Sequence, residues 1–486
     1  MNSPLKKIVV VGGGVIAWWT VVFLKKNDPK LDITLLHNTV IDAFVETPEP
    51  DFSYLLKLIG FSSQDLIKYV DGNFCCAQAY FGWAHDVENY FHSADVSNLD
   101  YDITPYSQWL LKLKLAKDDV KADDYFLASA AARVGKITFA ENQKILSAGL
   151  SFDVDRFIQL LMSCAQALNV NVLNDELEQV RLTATGEIES LLTASNENIT
   201  GDFFIDVTGS DSKLLGSGLH IEYDSWKQYL PCNRKRYLKS KPRSERLIPF
   251  SAVQLGSLGW VKNRPLRAQL VAEFIYHDSA LAFVGSQDAT LELFSNSKAY
   301  AFFPGARKKT WHKNCLALGE AAVTFDNFSH SSLYVAAVSL QRFIEFWPNS
   351  TGINLMDGEF NRLMAIEFQA IRDFHCLHYV LAKKADTPFG KLLKEVNLPE
   401  SLRYRMELFG ACGVSPADES TLINTAQWSN LFLGFGFWPK TYSGMLSHVT
   451  VAELELWSNK IKTNIKSTIE NSPDYTRHMA ALISAR

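Results

Sequence analysis

With 486 residues, 47% of them hydrophobic, and a net charge of −5, the chain is long enough to bury two or three layers around a sizeable core. The acidity argues against nucleic acid as a partner, and no uninterrupted apolar run reaches membrane-spanning length, so neither nucleic acid nor a membrane is expected to engage it. Seven cysteines, two of them adjacent at Cys75 and Cys76, make neither a disulfide framework nor a spaced zinc signature, and the chain opens on a strand and glycines where a signal peptide would need an apolar helix; reduced thiols, no metal and a cytoplasmic location are expected.

The first informative stretch is Lys6 to Trp19, KKIVVVGGGVIAWW, a buried-strand run of Ile and Val followed by three glycines and a helix. The spacing Gly12-x-Gly14-x-x-Ala17 lets the chain turn tightly, so that backbone N–H groups at the helix start can meet a pyrophosphate. Gly12, Gly13, Gly14, Val15 and Ala17 are therefore candidate cofactor contacts. The alternative is a glycine turn that merely closes a structural strand–helix connection. The second strand, LDITLLHNT, ends in His37 where a dinucleotide fold usually places an acid for the ribose. A neutral imidazole can accept one ribose hydrogen bond; His37 as a plain loop residue is the competing reading.

A helical stretch from Tyr54 to Tyr69 leads to Asp71-Gly72 and the run NFCCAQAYFGW, expected to be a strand. Residues 86–148 alternate polar loops with short helices. FDVDRFIQLLMSCAQALNV, residues 152–170, has helical spacing, and after a hairpin-like excursion DFFIDVTGS ends a buried strand in Asp206-x-Thr208-Gly209. Arg234-Lys235-Arg236 through Lys239, Lys241, Arg243 and Arg246 is the one basic cluster, read as a solvated loop. Strands follow from about 248 to 304. WHKNCLALGEAA, residues 311–322, reads as a strand turning at Gly319 into a helix, and the remainder is mostly helical, with amphipathic periodicity at 333–346 and 454–469. Most of the abundant aromatics are core; a flat aromatic pocket is the minority reading. Dinucleotide-fold pieces in the first eighty residues and again in 150–215 require intervening insertions.

Taken in order, GGGVIAWW, LLKLIGF with DGNFCCAQAYFGW, FIDVTGS, WHKNCLALGEAA, RDFHCLHY, DTPF and GFGFWP make the chain resemble the flavin-dependent tryptophan halogenases from end to end. The resemblance implies an α/β fold: a Rossmann-like, box-shaped FAD domain of the flavoprotein monooxygenase type over 1–345, discontinuous, with insertions at 86–148 and a strand-rich substrate-side part at 220–304. A helical substrate-covering region at 346–486 completes it. It also implies FAD reduced by a separate flavin reductase, since no second nucleotide motif is present, and an aromatic substrate, small or peptide-borne; a homodimer is compatible with it. Members of this family use reduced flavin and oxygen to oxidise halide, a lysine to hold the resulting oxidant, and a glutamate to assist substitution on the ring.

The departures from the family pattern are specific. Anchored on Gly72 and Trp83, the lysine position carries Ala79, and strand alternation points the neighbouring Gln78 to the opposite face. The glutamate position carries Ser329, in Asp326-Asn327-Phe328-Ser329-His330-Ser331. Ser331 and Ser332 fall where the family binds halide and flavin, so the resemblance implies a small anion site there, with Ser332 also a flavin contact. Phe274 and Tyr276 stand for the two tryptophans that keep flavin chemistry off the substrate, followed here by Asp278-Ser279 in place of Ile-Pro. The flavin strap is Ala43-Phe44-Val45-Glu46, with Glu46 kept and the glycines replaced. The substrate clamp falls near Trp428-Ser429. Gly12, Gly14, Asp206, Gly209 and Gly319 remain where a flavin fold uses them.

Three polar groupings were weighed as further catalysts: His330 with Ser329 and Asp326, His375 with His378, and His277-Asp278. Each has a packing or loop explanation, because triad and ligand geometry come from tertiary placement. The functional expectation is an FAD-dependent oxidoreductase acting on an indole- or phenol-like substrate by a route other than the lysine–glutamate one. The alternatives are an inactive halogenase-like binding protein and a genuine halogenase whose catalytic residues lie elsewhere.

Overall fold

The computed structural model describes every residue except 1–4, 38–48, 50, 85–88, 94–98, 118, 140–144, 147, 243, 284–287, 329–330, 349–352, 384, 418 and 485–486. Glu46, the other strap residues, Ser329 and His330 lie outside the described residues. Two compact, discontinuous units form: residues 1–72, 152–227 and 302–369 make the first, and 73–151, 228–301 and 370–486 make the second.

In chain order, the strands that position the site are β1 (Lys7–Gly12), β2 (Asp32–His37), β3 (Ala77–Phe81), β4 (Asn89–His92), β5 (Asn171–Asn174), β6 (Phe203–Val207) and β7 (Arg234–Ser240). They continue as β8 (Phe250–Leu255), β9 (Gly259–Pro265), β10 (Leu270–Tyr276), β11 (Ala299–Ala301), β12 (Trp311–His312) and β13 (Cys315–Ala317). The helices needed are α1 (Gly14–Asn27), α2 (Leu127–Arg133), α3 (Val154–Ala167), α4 (Ser332–Glu345), α5 (Ile353–Leu381) and α6 (Thr425–Gly434).

The first unit is built on a six-stranded sheet in the order β12-β13-β6-β1-β2-β5, parallel throughout except for β12. A parallel sheet covered on both faces needs uninterrupted β-branched and apolar runs, and Ile8 to Val11 and Phe203 to Ile205 supply them, each 3% exposed or less. Helix α1 is apolar almost all round, so it packs between the sheet and other helices; Trp19 stacks on Phe52 at 5.3 Å and meets Phe157 of α3 at 6.3 Å. Helix α3 is held at its start by Asp153, whose carboxylate accepts the Arg156 N–H. The helical stretch expected over 54–69 is two helices, Phe52–Leu58 and Ser63–Tyr69, because Gly60 adopts φ +85 and Ser62 with Asp65 starts a new capping box.

The second unit carries a seven-stranded sheet in the order β11-β7-β10-β9-β8-β3-β4, antiparallel apart from the β8–β3 pair. The basic segment beginning at Arg234, expected to be a solvated loop, is strand β7. Its alternation explains the composition: Arg236 turns to one face and donates to Tyr276 Oη and to the Phe294 and Ser297 carbonyls, while Lys235 lies buried on the other. The seven cysteines are all free, as expected. Among the described residues no helix is long and apolar enough to cross a membrane, and no cluster of three or more His, Cys, Asp or Glu could hold a metal.

Candidate active site

The carboxyl ends of β1 and β6 in the first unit form a cradle of backbone. Gly12 pairs with Val207 and adopts φ +129, and a Cβ there would overlap the Val207 carbonyl, so glycine is required by the close approach of the two strands. Gly13 caps α1 without a side-chain hydrogen bond, and the first turn carries no acid. Among the described residues no side-chain cap takes up the N–H groups that begin this 14-residue helix. Among the described residues, Gly14 (φ +77) and Gly209 (φ +71) each have nothing within 4 Å of the place a Cβ would occupy. Gly319 (φ +62) turns against α1, with Ile16 Cδ1 2.6 Å from the position of a Cβ. Val15 and Ala17 are buried into the unit. No side chain of a described residue fills the space over Gly14 and Gly209.

Asp206 organises the turn that follows β6. Fully buried, it accepts hydrogen bonds from Thr208 N (3.0 Å), Thr208 Oγ1 (2.6 Å), Ser212 Oγ (3.1 Å), Leu214 N (3.0 Å) and Leu215 N (2.8 Å). Both carboxylate oxygens bind the turn that presents Gly209. His37 ends β2 next in register to the cradle strand, and Trp18 of α1 meets its ring edge-on at 5.3 Å. Ser331 caps α4 by accepting the Tyr334 N–H at 3.1 Å, which uses a lone pair of its hydroxyl and not the O–H an anion would accept from; Ser332 is the first residue of that helix.

The two faces of the second unit's sheet are chemically opposite. Ala79 pairs with Ala252 and Phe91, has no exposure, and sits in an apolar cluster with Ala77, Phe91 and Ala132, edged by Phe81 and Phe250. Phe274 and Tyr276 lie on this same face, stacked at 4.6 Å within a core of Leu258, Ala272, Ala280 and Phe294. Period-two alternation aims both toward the buried apolar side. Trp428 on α6 is buried as well. It is 1% exposed, with the Arg405 guanidinium 4.3 Å over its ring and Phe374 edge-on at 5.1 Å.

The other face is polar and aromatic. Gln78, Tyr80, Tyr90, His92, Ser251, Lys262, Arg264 and Glu273 share it by register. Arg264 and Glu273 form a buried pair at 2.6 Å, and Tyr237 Oη donates to Glu273 at 2.8 Å. Helix α5 packs over it. Tyr80 Oη lies 2.8 Å from His378 Nε2, His378 Nδ1 lies 2.8 Å from the Phe374 carbonyl, and Gln78 Nε2 donates to Tyr80 Oη at 2.8 Å. Trp260 Nε1 donates to Tyr379 Oη at 3.1 Å. Nearby Asp373 has its carboxyl pushed up by burial, against the pull of Arg372. Residue spacing in the sequence could not have joined this grouping, since Tyr80 and His378 are 298 positions apart; the separate signals were the alternation Gln78-x-Tyr80 and the His375–His378 pair.

Residues 7–451 match the family model described as tryptophan halogenase. The tryptophan 6-halogenase ThaL of Streptomyces albogriseolus is 22% identical across 97% of this chain and 98% of its own length. Among solved structures, Xcc4156, a flavin-dependent halogenase from Xanthomonas campestris, superposes with a TM-score of 0.92 at 23% identity, covering 100% of this chain and 99% of that one. BrvH, a flavin-dependent halogenase from Brevundimonas sp. BAL3, gives 0.89 at 22% identity, covering 99% and 100%. These structures share the α/β fold with its mixed sheets and helical carboxyl-terminal region. The chain belongs to the tryptophan halogenase family.

Proposed function

We propose that this chain is an FAD-dependent oxidoreductase that works with reduced flavin and oxygen on an indole- or phenol-like aromatic, by a route that does not use the family's lysine and glutamate. The observation that carries the reading is the open space over Gly14 and Gly209 beside the uncapped start of α1. Backbone N–H groups from Gly14, Val15 and Ile16 would hold the diphosphate of FAD, and His37 would accept from the adenosine ribose. A bound, reduced FAD supplies the electrons that turn oxygen into an oxidant for halide or for a ring carbon. Gly319, pressed against Ile16, closes the cradle on the side of β13. Asp206 holds the Gly209 turn in place while its own charge is spent on five donors. A separate flavin reductase is the implied partner.

Oxygen uptake with enzymatically reduced FAD and a panel of indoles and phenols tests this, and product mass separates halogen addition from hydroxylation. No substrate-dependent uptake across the panel would defeat it. The reading of an inactive binding protein draws on a different observation, the apolar surroundings of Ala79, and would show aromatic binding without turnover.

A further inference from the structure

On the polar face of the second unit's sheet, three side chains form a directed chain. A carbonyl can only accept, so His378 Nδ1 must donate to the Phe374 oxygen, at 2.8 Å. The neutral ring then has Nε2 as an acceptor, and the Tyr80 hydroxyl donates to it, also at 2.8 Å. Tyr80 Oη must in turn receive its own hydrogen bond from a donor, which fixes the Gln78 amide with Nε2 toward Tyr80 at 2.8 Å and Oε1 turned away. Tyr80 and His378 are 2% and 0% exposed, whereas Gln78 keeps 9%. What accessibility the chain retains therefore lies at the glutamine. Its Oε1 has no hydrogen-bond partner among the described residues, and it is not one of the fully enclosed polar atoms. A carboxamide oxygen held in one orientation, without a donor, on a buried aromatic face is a waiting acceptor.

We infer that Gln78 is a specificity-determining residue whose Oε1 accepts the ring N–H or O–H of the aromatic substrate, with Tyr80 and His378 as positioning residues. This rests on the aromatic substrate class proposed above and narrows it to rings bearing a donor. The Tyr80 ring that holds the amide is itself held by packing, with Trp83, Phe435 and His378 around it at centroid distances of 6.2, 5.3 and 5.2 Å. A hydrogen-bonding site rejects an isostere without the donor more strongly than an apolar pocket rejects a change of shape, because the acceptor is then buried unpaired.

The test compares indole with benzofuran, which has the same outline and no N–H, by calorimetric titration of the full chain without flavin. The expected result is indole binding tighter by about tenfold or more, and a preference reduced to within about twofold in Gln78→Leu at an unchanged fold by circular dichroism. Tyr80→Phe, which keeps the ring and frees the amide, is the second variant and is expected to lower the preference several-fold. No preference in the wild type, or an undiminished preference in whichever variant folds, overturns the inference. FAD binding is titrated separately, so a chain that binds FAD and ignores the N–H sinks this inference alone, and one that prefers indole and ignores FAD sinks only the flavin reading.

Discussion

Replacing Ala79 by lysine asks whether the family's amine could simply be restored. Ala79 has no exposure and faces Phe91, Ala132 and Phe250, and Arg133 already holds its guanidinium 4.9 Å over the Phe91 ring. The new side chain adds three methylenes and an ammonium to a packed, apolar site beside an existing cation. Overpacking of this kind costs about 1–3 kcal/mol. Desolvation adds to it, but has a ceiling, because the amine can release its proton: from a reference pKa near 10.4, neutralisation costs about 4 kcal/mol at pH 7.5 and about 1.2 kcal/mol at pH 9.5. The folded pKa of this lysine is depressed, so the penalty is complete below it and shrinks as pH rises toward the unfolded value. Thermal melts of wild type and Ala79→Lys at both pH values should show a deficit of about 6–20 °C at pH 7.5 that narrows by several degrees at pH 9.5. A variant within about 2 °C of wild type at both pH values would refute the assignment of Ala79 to the apolar face.

Further outcomes follow from the cradle and from two histidines. Gly12→Ala should cost more stability than Gly14→Ala, since only the first meets the Val207 carbonyl; Gly14→Ala should lose about 1–2 kcal/mol from its positive φ, read by urea melts. Asp206→Asn turns an N–H group toward the Leu214 and Leu215 donors and should destabilise by about 3 kcal/mol or more, seen as a lower urea midpoint. Burial holds the His478 imidazole below its ordinary value, and burial with Lys309 and Lys313 does the same at His312. The unfolded chain takes up these protons first, so melting temperature should fall as pH drops through about 6.5, and His478→Gln with His312→Gln should flatten that slope.

Much of the first unit was legible because its chemistry is local: an Ile–Val run, glycines and a helix lie within fourteen residues, and the structure closes Gly12 against Val207 and Gly319 against Ile16 of α1. Asp206 was noticed for its place at a strand end, but its partners come from the next nine residues of loop, where side-chain and backbone donors cannot be read from a pattern. In the second unit, alternation predicted that Ala79 and Gln78 face opposite ways, and they do. Which face was apolar could not be read, since it depends on α2 covering one side and α5 the other. For the same reason the burial of Phe274, Tyr276 and Trp428 could not be read from the sequence. The resemblance places a domain boundary at 345, whereas the compact units divide within α5, at Gln369 and Ala370.

Titration of the full chain with FAD, followed by quenching of flavin fluorescence and by the melting temperature, tests the cradle most directly. The account predicts quenching that saturates at a single FAD per chain, a melting temperature raised by stabilisation of about 2.7 kcal/mol at a hundredfold excess over Kd, and loss of both in Gly14→Val. Unquenched flavin and an unmoved melting temperature at saturating FAD would contradict it.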